Sequence, residues 1–167
     1  WFDNGTIYFY SEAAINYLNE DSSYLFYNLA GIQNIDLDGF NSSNTADMSY
    51  LFSVVDVSDI DLSKLDTSNA TTMIGMFSSS TGDNVDLSSW DTSKVTNMLA
   101  MFASANFTTL NLDKIKTGSN ADLSNMFNGA QIENLEFNSF DTSKVTNMNN
   151  MFAGFMNKTI DLSGFNT

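Results

Sequence analysis

The sequence has no histidine and no cysteine among its 167 residues. That excludes Ser-His-Asp and Cys-His catalysis, haem ligation through either residue, the usual zinc sites and every disulfide. Arginine is missing too, and six lysines stand against 20 Asp and Glu, for a formal net charge of −14. So acidic a surface opposes nucleic acid, whose phosphates need Lys and Arg, and it opposes anionic membrane leaflets. No apolar run approaches the ~20 residues of a bilayer span, so no direct membrane insertion is expected. The opening Trp1-Phe2-Asp3-Asn4-Gly5 lacks the basic start and apolar stretch of a signal peptide. What the chain does have is an apolar content of 43%, enough to build a core despite the charge.

That apolar content is periodic. Phe26, Phe52, Phe77, Phe102, Phe127 and Phe152 are separated by one interval of 26 residues and four of 25. An apolar residue precedes each: Leu25, Leu51, Met76, Met101, Met126, Met151. Four residues before the Phe lies Met48, Met73, Met98, Leu123 or Met148. A second block alternates apolar and polar residues, as in Ile35-Asp36-Leu37, Ile60-Asp61-Leu62, Val85-Asp86-Leu87, Leu110-Asn111-Leu112, Leu135-Glu136-Phe137 and Ile160-Asp161-Leu162. Three residues beyond each block comes Phe40, Leu65, Trp90, Ile115, Phe140 or Phe165. A unit this short cannot bury its own apolar face, but it can stack on copies of itself.

The alternating triplet predicts a short strand. The i, i+3, i+4 spacing of Met98, Met101 and Phe102 predicts one or two helical turns. The expected fold is therefore an α/β solenoid like the leucine-rich repeats. It has six coils of about 25 residues, each a short parallel strand plus a short helix. The Met and Phe columns read as its stacked core. Residues 24–167 form the array, which stops partway through a unit at Thr167, so the chain reads as a piece of something longer. Residues 1–23 fit no unit and are expected to cap it. Asn4-Gly5 suggests a turn between strands, and Ser11 to Leu18 reads as a helix with Ser11 as N-cap.

The strings Asp91-Thr92-Ser93-Lys94-Val95-Thr96-Asn97-Met98 and Asp141-Thr142-Ser143-Lys144-Val145-Thr146-Asn147-Met148 are identical. This pattern resembles the BspA-type leucine-rich-repeat family of bacterial surface proteins, also described among mycoplasma lipoproteins. The resemblance covers roughly residues 24–167. It implies an extracellular, cell-surface location and a binding role, since some members are regarded as adhesins for host proteins. The fifth unit departs from it, with Lys116-Thr117-Gly118 for Asp-Thr-Ser and Leu123 for Met.

Side chains facing away from the core should form columns. One is Asp36, Asp61, Asp86, Asn111, Glu136, Asp161; Asp59 and Asn84 stand in a second, and Asp38, Ser63, Ser88 and Asp113 in a third. The expected binding residues are Asp36, Asp59, Asp61, Asp86, Asn111, Asp113, Glu136 and Asp161. The competing reading is a solvated face that keeps the protein soluble. Calcium is the one cofactor the carboxylates would suit, through Asp59, Asp61 and Asp86, but no EF-hand loop or glycine-rich nonapeptide accompanies them. Asp66, Asp91 and Asp141 read as turn-forming residues. Ile74 and Leu99, beside Phe107, make a secondary apolar patch, either a contact site or packing under a loop.

No residue is assigned a catalytic or metal-binding role. The leading expectation is a non-catalytic cell-surface module that adheres to an extracellular protein or glycan, with a basic partner favoured by the charge. The alternative is a spacer presenting another domain, with further repeats or domains of the full-length chain as neighbours. Last comes a carboxylate-dependent glycan hydrolase using Asp61 and Asp86, which would need one raised pKa and a cleft.

Overall fold

The structure is a computed structural model that describes residues 2, 3, 6, 7, 15–29, 32, 34–58, 60–137, 140–157, 160–163 and 165. The chain winds as a parallel β-solenoid of about five turns. Its most regular face is a three-stranded sheet in the order β6 (Thr81–Asp86), β7 (Asn106–Asn111), β9 (Gln131–Glu136). Thr81, Asn106 and Gln131 stand in register, as do Asp86, Asn111 and Glu136, so the repeat interval is the register of the sheet. Each strand bends at its third residue. Asp83 and Thr108 are skipped in the β6–β7 pairing, and the residues turned inward are the second and fifth, such as Phe107 and Leu110.

Elsewhere the strands are two or three residues long. β1 (Phe2–Asp3) pairs antiparallel with β2 (Thr6–Ile7), which runs parallel to β4 (Asn34–Ile35). β3 (Asn16–Tyr17) runs parallel to β5 (Phe40–Asn41), and β8 (Ala121–Asp122) to β10 (Val145–Asn147). Parallel bridges connect Asp21, Asp47, Thr72, Asn97 and Asp122 along the stack.

The expected short helix in each coil is not there: no α-helix occurs among the described residues. The Met-x-x-Met-Phe segment is instead a run of turns stitched to the next coil. Met101 N–H donates to Met98 O and Ala103 N–H to Ala100 O, closing successive turns. The intervening N–H groups leave the coil: Met98, Ala100, Phe102 and Ser104 donate to the carbonyls of Asp122, Ser124, Met126 and Asn128 at 2.8–2.9 Å. A left-handed residue stands two before each Phe (Tyr24, Tyr50, Gly75, Ala100, Asn125, Asn150) and another two after (Asn28, Val54, Ser79, Ser104, Gly129, Gly154). Such residues cannot continue a right-handed helix, and each costs an L-residue about 1–2 kcal/mol. The four intercoil bonds, at about 1 kcal/mol each, offset that cost.

The apolar positions fill the core as expected. Met98, Met101 and Phe102 are buried, and so are their counterparts one coil before and after. The Phe rings form one stack from Phe26 to Phe152, with centroids 5.3–5.7 Å apart and planes within 17°.

Two other expectations fail locally. In the second coil Ile60 and Leu62 are buried and Asp61 is exposed, yet the segment enters a 3-10 turn, Leu62–Lys64, capped by Asp61. The sixth triplet forms no strand: Ile160 and Leu162 are 36% and 42% exposed, so a sixth coil is not completed. Of the helix expected over 11–18, residues 11–14 lie outside the described residues, as does the Asn4-Gly5 turn. Asn16–Tyr17 is strand, because Asn16 and Leu18 donate their N–H groups to Gly39 O and Asn41 O.

Candidate functional site

Most of the expected binding column is occupied by the fold itself. One Oδ1 of Asp36, Asp86 or Asp161 accepts the N–H of the residue two positions on, at 2.9 Å. Asn111 does the same for Asp113, and Asp61 for Ser63. These are Asx turns, in which a short side chain replaces a backbone acceptor where the chain bends. Glu136 is one methylene longer and stands exposed at the end of β9. Asp59 lies outside the described residues. Asp113 has one carboxylate oxygen buried without a hydrogen-bond partner.

Two more columns repeat the device. Asn41, Asp66, Asp91 and Asp141 accept from Ser43, Ser68, Ser93 and Ser143. Asp21, Asp47, Asn97, Asp122 and Asn147 accept from the residue two on in the same way. The Asp-Thr-Ser motif is therefore architectural. Its threonine completes it: Thr67, Thr92 and Thr117 are buried, and their hydroxyls donate to the carbonyls of Asp91, Lys116 and Asp141 in the next coil. Thr92 Oγ1 also accepts from Lys116 N–H, at 3.0 Å.

Asp21, Asp61, Asp91, Asp122 and Asp141 carry the electrostatic signature of this duty. Hydroxyl and backbone N–H donors hold Asp91 and Asp141 below the usual carboxylate range, from Ser93 and Ser143 respectively, with Lys116 adding to both. The Ser63 hydroxyl lowers Asp61, and the Ser23 hydroxyl lowers Asp21. At Asp122 partial burial pulls upward, and hydrogen bonds from Ser124 and the Asn147 amide outweigh it. A depressed folded-state pKa contributes stability above the unfolded value, about 3.9, that is lost as pH falls through the folded value. The protein should thus unfold more easily below about pH 4, read as the urea midpoint from pH 7 to pH 2. Asp91→Asn with Asp141→Asn keeps the turn acceptor, as native Asn97 and Asn147 do. Stability at pH 7 should stay near wild type while the acid loss shrinks. An unchanged acid profile would show that these turns do not set it.

The outward side chains with no such duty lie just upstream. Asp83, Asn84, Thr108, Glu133 and Asn134 are exposed on β6, β7 and β9, and no hydrogen bond engages their side chains among the described residues. Sequence reasoning placed Asn84 in an outward column but missed Asp83, Thr108 and Glu133. Their only signal is the bend that skips them in the ladder. Of the two readings of the apolar patch, packing is the one its geometry fits. Phe107 is buried, its ring edge-on to Phe77 and Phe102 at 6.5 and 6.4 Å. Its neighbour in β6 is Gly82, where a Cβ would press first on Val57 and Val85, at 3.1 and 3.3 Å. Ile74 and Leu99 are only half-buried.

Among the described residues no group of three or more carboxylates converges to hold a metal ion. None of their helices is long and apolar enough to cross a membrane. Surface grooves do occur between coils. One of about 320 Å³ lies along Glu133 to Glu136 with Phe155, Asn157, Ile160 and Asp161, and another of about 500 Å³ is lined by Ser88, Trp90, Asp91, Ser93, Lys114 and Lys116.

No curated protein and no solved structure matches the chain. A family model does, over residues 20–137 and again over 104–167, so its two matches share coils, as an internally repetitive chain requires. The chain belongs to the family described as Mycoplasma protein of unknown function, DUF285.

Proposed function

We propose that the chain is a non-catalytic binding module of the bacterial cell surface, reading an extracellular protein or glycan with the polar face of β6, β7 and β9. One observation carries this: the side chains of Asp83, Asn84, Thr108, Glu133 and Asn134 are exposed on three parallel strands that pair in register, and none of them is engaged in a hydrogen bond among the described residues. Strands about 4.8 Å apart present such side chains at a fixed rise, the kind of extended surface through which solenoids bind. The resemblance to BspA-type surface proteins supports an extracellular setting. The net charge of −14 favours a basic partner and an affinity that weakens with salt.

The test is a binding screen against matrix proteins, serum proteins and glycans at low and physiological salt, with Asp83→Lys/Glu133→Lys alongside. Both side chains are free, so the variant should melt with wild type yet lose any salt-sensitive partner. Binding that survives charge reversal would remove this face as the site.

A second reading, a spacer presenting another domain, is favoured by the employment of Asp36, Asp61, Asp86 and Asp161 in turns. An acidic face that serves the backbone needs no ligand to explain it. Silence across the whole panel would favour the spacer. A glycan hydrolase is favoured by nothing comparable. Its general acid needs a raised pKa, whereas Ser63 lowers that of Asp61.

A further inference from the structure

The fifth unit breaks the acidic pattern, and it does so beside a groove. Where other coils place Asp or Asn at the turn, this one has Lys116, and two residues earlier stands Lys114. Both are exposed, and neither ammonium is within ion-pair or hydrogen-bond distance of a partner among the described residues, Lys116 acting on Asp91 and Asp141 only across a longer gap. Lys64, by contrast, pairs with Asp38 at 2.9 Å, and Lys94 donates to Asn69 at 2.6 Å. The groove of about 500 Å³ that the two free lysines line has a size suited to a small ligand. Its remaining lining is Trp90, pinned by a hydrogen bond from Nε1 to Leu62 O, with Ser88, Ser93 and Asp91.

Lys114 is also strained. It occupies the third position of a turn closed by Ile115 N–H to Leu112 O, with φ of +89°. The first coil builds the same turn, from Leu37 to Phe40, and puts Gly39 there with φ of +83°. Glycine is the residue that adopts this conformation without steric cost. The chain keeps a lysine instead, at the lip of the groove, and strain retained at one place is a pointer to function.

From this juxtaposition we infer that the groove binds a monoanionic sugar, its carboxylate between Lys114 and Lys116 and its hydroxyls donating to Asp91. Each feature narrows the ligand. Two free ammonium groups call for an anion. A chain of net charge −14 repels polyanions, so the charge must be single and set on a neutral body. Asp91 accepts hydrogen bonds and would repel a bare anion, whereas neighbouring hydroxyls satisfy it. This site does not rest on the strand-face reading: it lies on other residues and takes the opposite charge.

The experiment is a titration of the whole chain followed by two-dimensional amide NMR, with sodium glucuronate as probe and glucose and acetate as controls. Glucuronate should shift the Ser88 to Ser93 and Lys114 to Lys116 amides at lower concentration than either control. Lys114→Gln/Lys116→Gln should weaken it about 10-fold, the scale of one charge-assisted hydrogen bond. Lys114→Gly separates function from fold: it should raise the melting temperature while weakening glucuronate. Acetate acting as well as glucuronate would overturn the sugar assignment. No response at these amides, or equal affinity in both variants, would overturn the site.

Discussion

Replacing Phe102 by alanine should destabilise the protein by about 3–5 kcal/mol, the range for removing a fully buried ring. The ring is 0% exposed and lies midway in the Phe stack, 5.6 Å from Phe77 and 5.5 Å from Phe127. Phe107 closes a third side edge-on. Collapse into the cavity is restricted, because the backbone on both sides is tied: Phe102 N–H donates to Met126 O, and Phe77 N–H to Met101 O. Nearest-neighbour coupling gives the loss a second consequence, since a central defect uncouples the coils on either side and broadens the transition. Phe152→Ala is the internal control. Its ring has one stacked neighbour in the Phe column, Phe127 at 5.3 Å, and is already half-buried. Urea unfolding should therefore show a Phe102→Ala loss at least about twice that of Phe152→Ala. A Phe102→Ala protein within about 1 kcal/mol of wild type would mean that the stack does not hold the coils together.

The same stack shows what a sequence like this discloses. Burial recurs at one interval, so Met98, Met101, Phe102 and their counterparts could be named as core without knowing the backbone. The backbone itself could not be named, because i, i+3, i+4 spacing suits both a helix and a run of turns closed by i to i+3 hydrogen bonds. The discriminating signal was present but diluted. Gly75, Asn125 and Asn150 share one left-handed column, and Gly129 and Gly154 share the other, yet Tyr50, Ala100 and Val54 stand at equivalent places and hide the preference. The site misled in a related way. Aspartate alternating with buried apolar residues looks like a ligand-facing column. Read one residue further, Asp61-Leu62-Ser63 and Asp86-Leu87-Ser88 carry the same Asp-x-Ser spacing as the turn at Asp91-Thr92-Ser93, where turn chemistry was the expectation. Phe107 could be placed beside Ile74 and Leu99 from the sequence, but whether it lined a contact site or packed inward depends on the neighbouring coils, where its ring meets Phe77 and Phe102 edge-on.

The departure at Lys116-Thr117-Gly118 yields the second large effect. In the other coils Ser68, Ser93 and Ser143 give their N–H to an aspartate in the same turn. Lys116 cannot accept, so Gly118 N–H goes instead to Val95 O in the preceding coil, at 2.7 Å. That approach leaves no room for a side chain. A Cβ on residue 118 would lie 2.9 Å from Val95 O and 3.1 Å from the Lys94 carbonyl carbon, both backbone atoms that cannot rotate away. Gly118→Ser should therefore cost about 1–3 kcal/mol, the usual range for overpacking. Pairing it with Lys116→Asp recreates Asp-Thr-Ser and supplies the missing acceptor, so the N–H can turn back into its own coil and the chain can withdraw from Val95. The double variant should recover at least half of the loss, whereas Lys116→Asp alone should gain nothing, because Gly118 is already bonded. Urea midpoints of the four proteins complete the cycle. Additive losses would mean that the glycine is required by packing alone; recovery would show that the lysine and the glycine are one substitution, made so that this coil could turn without its carboxylate.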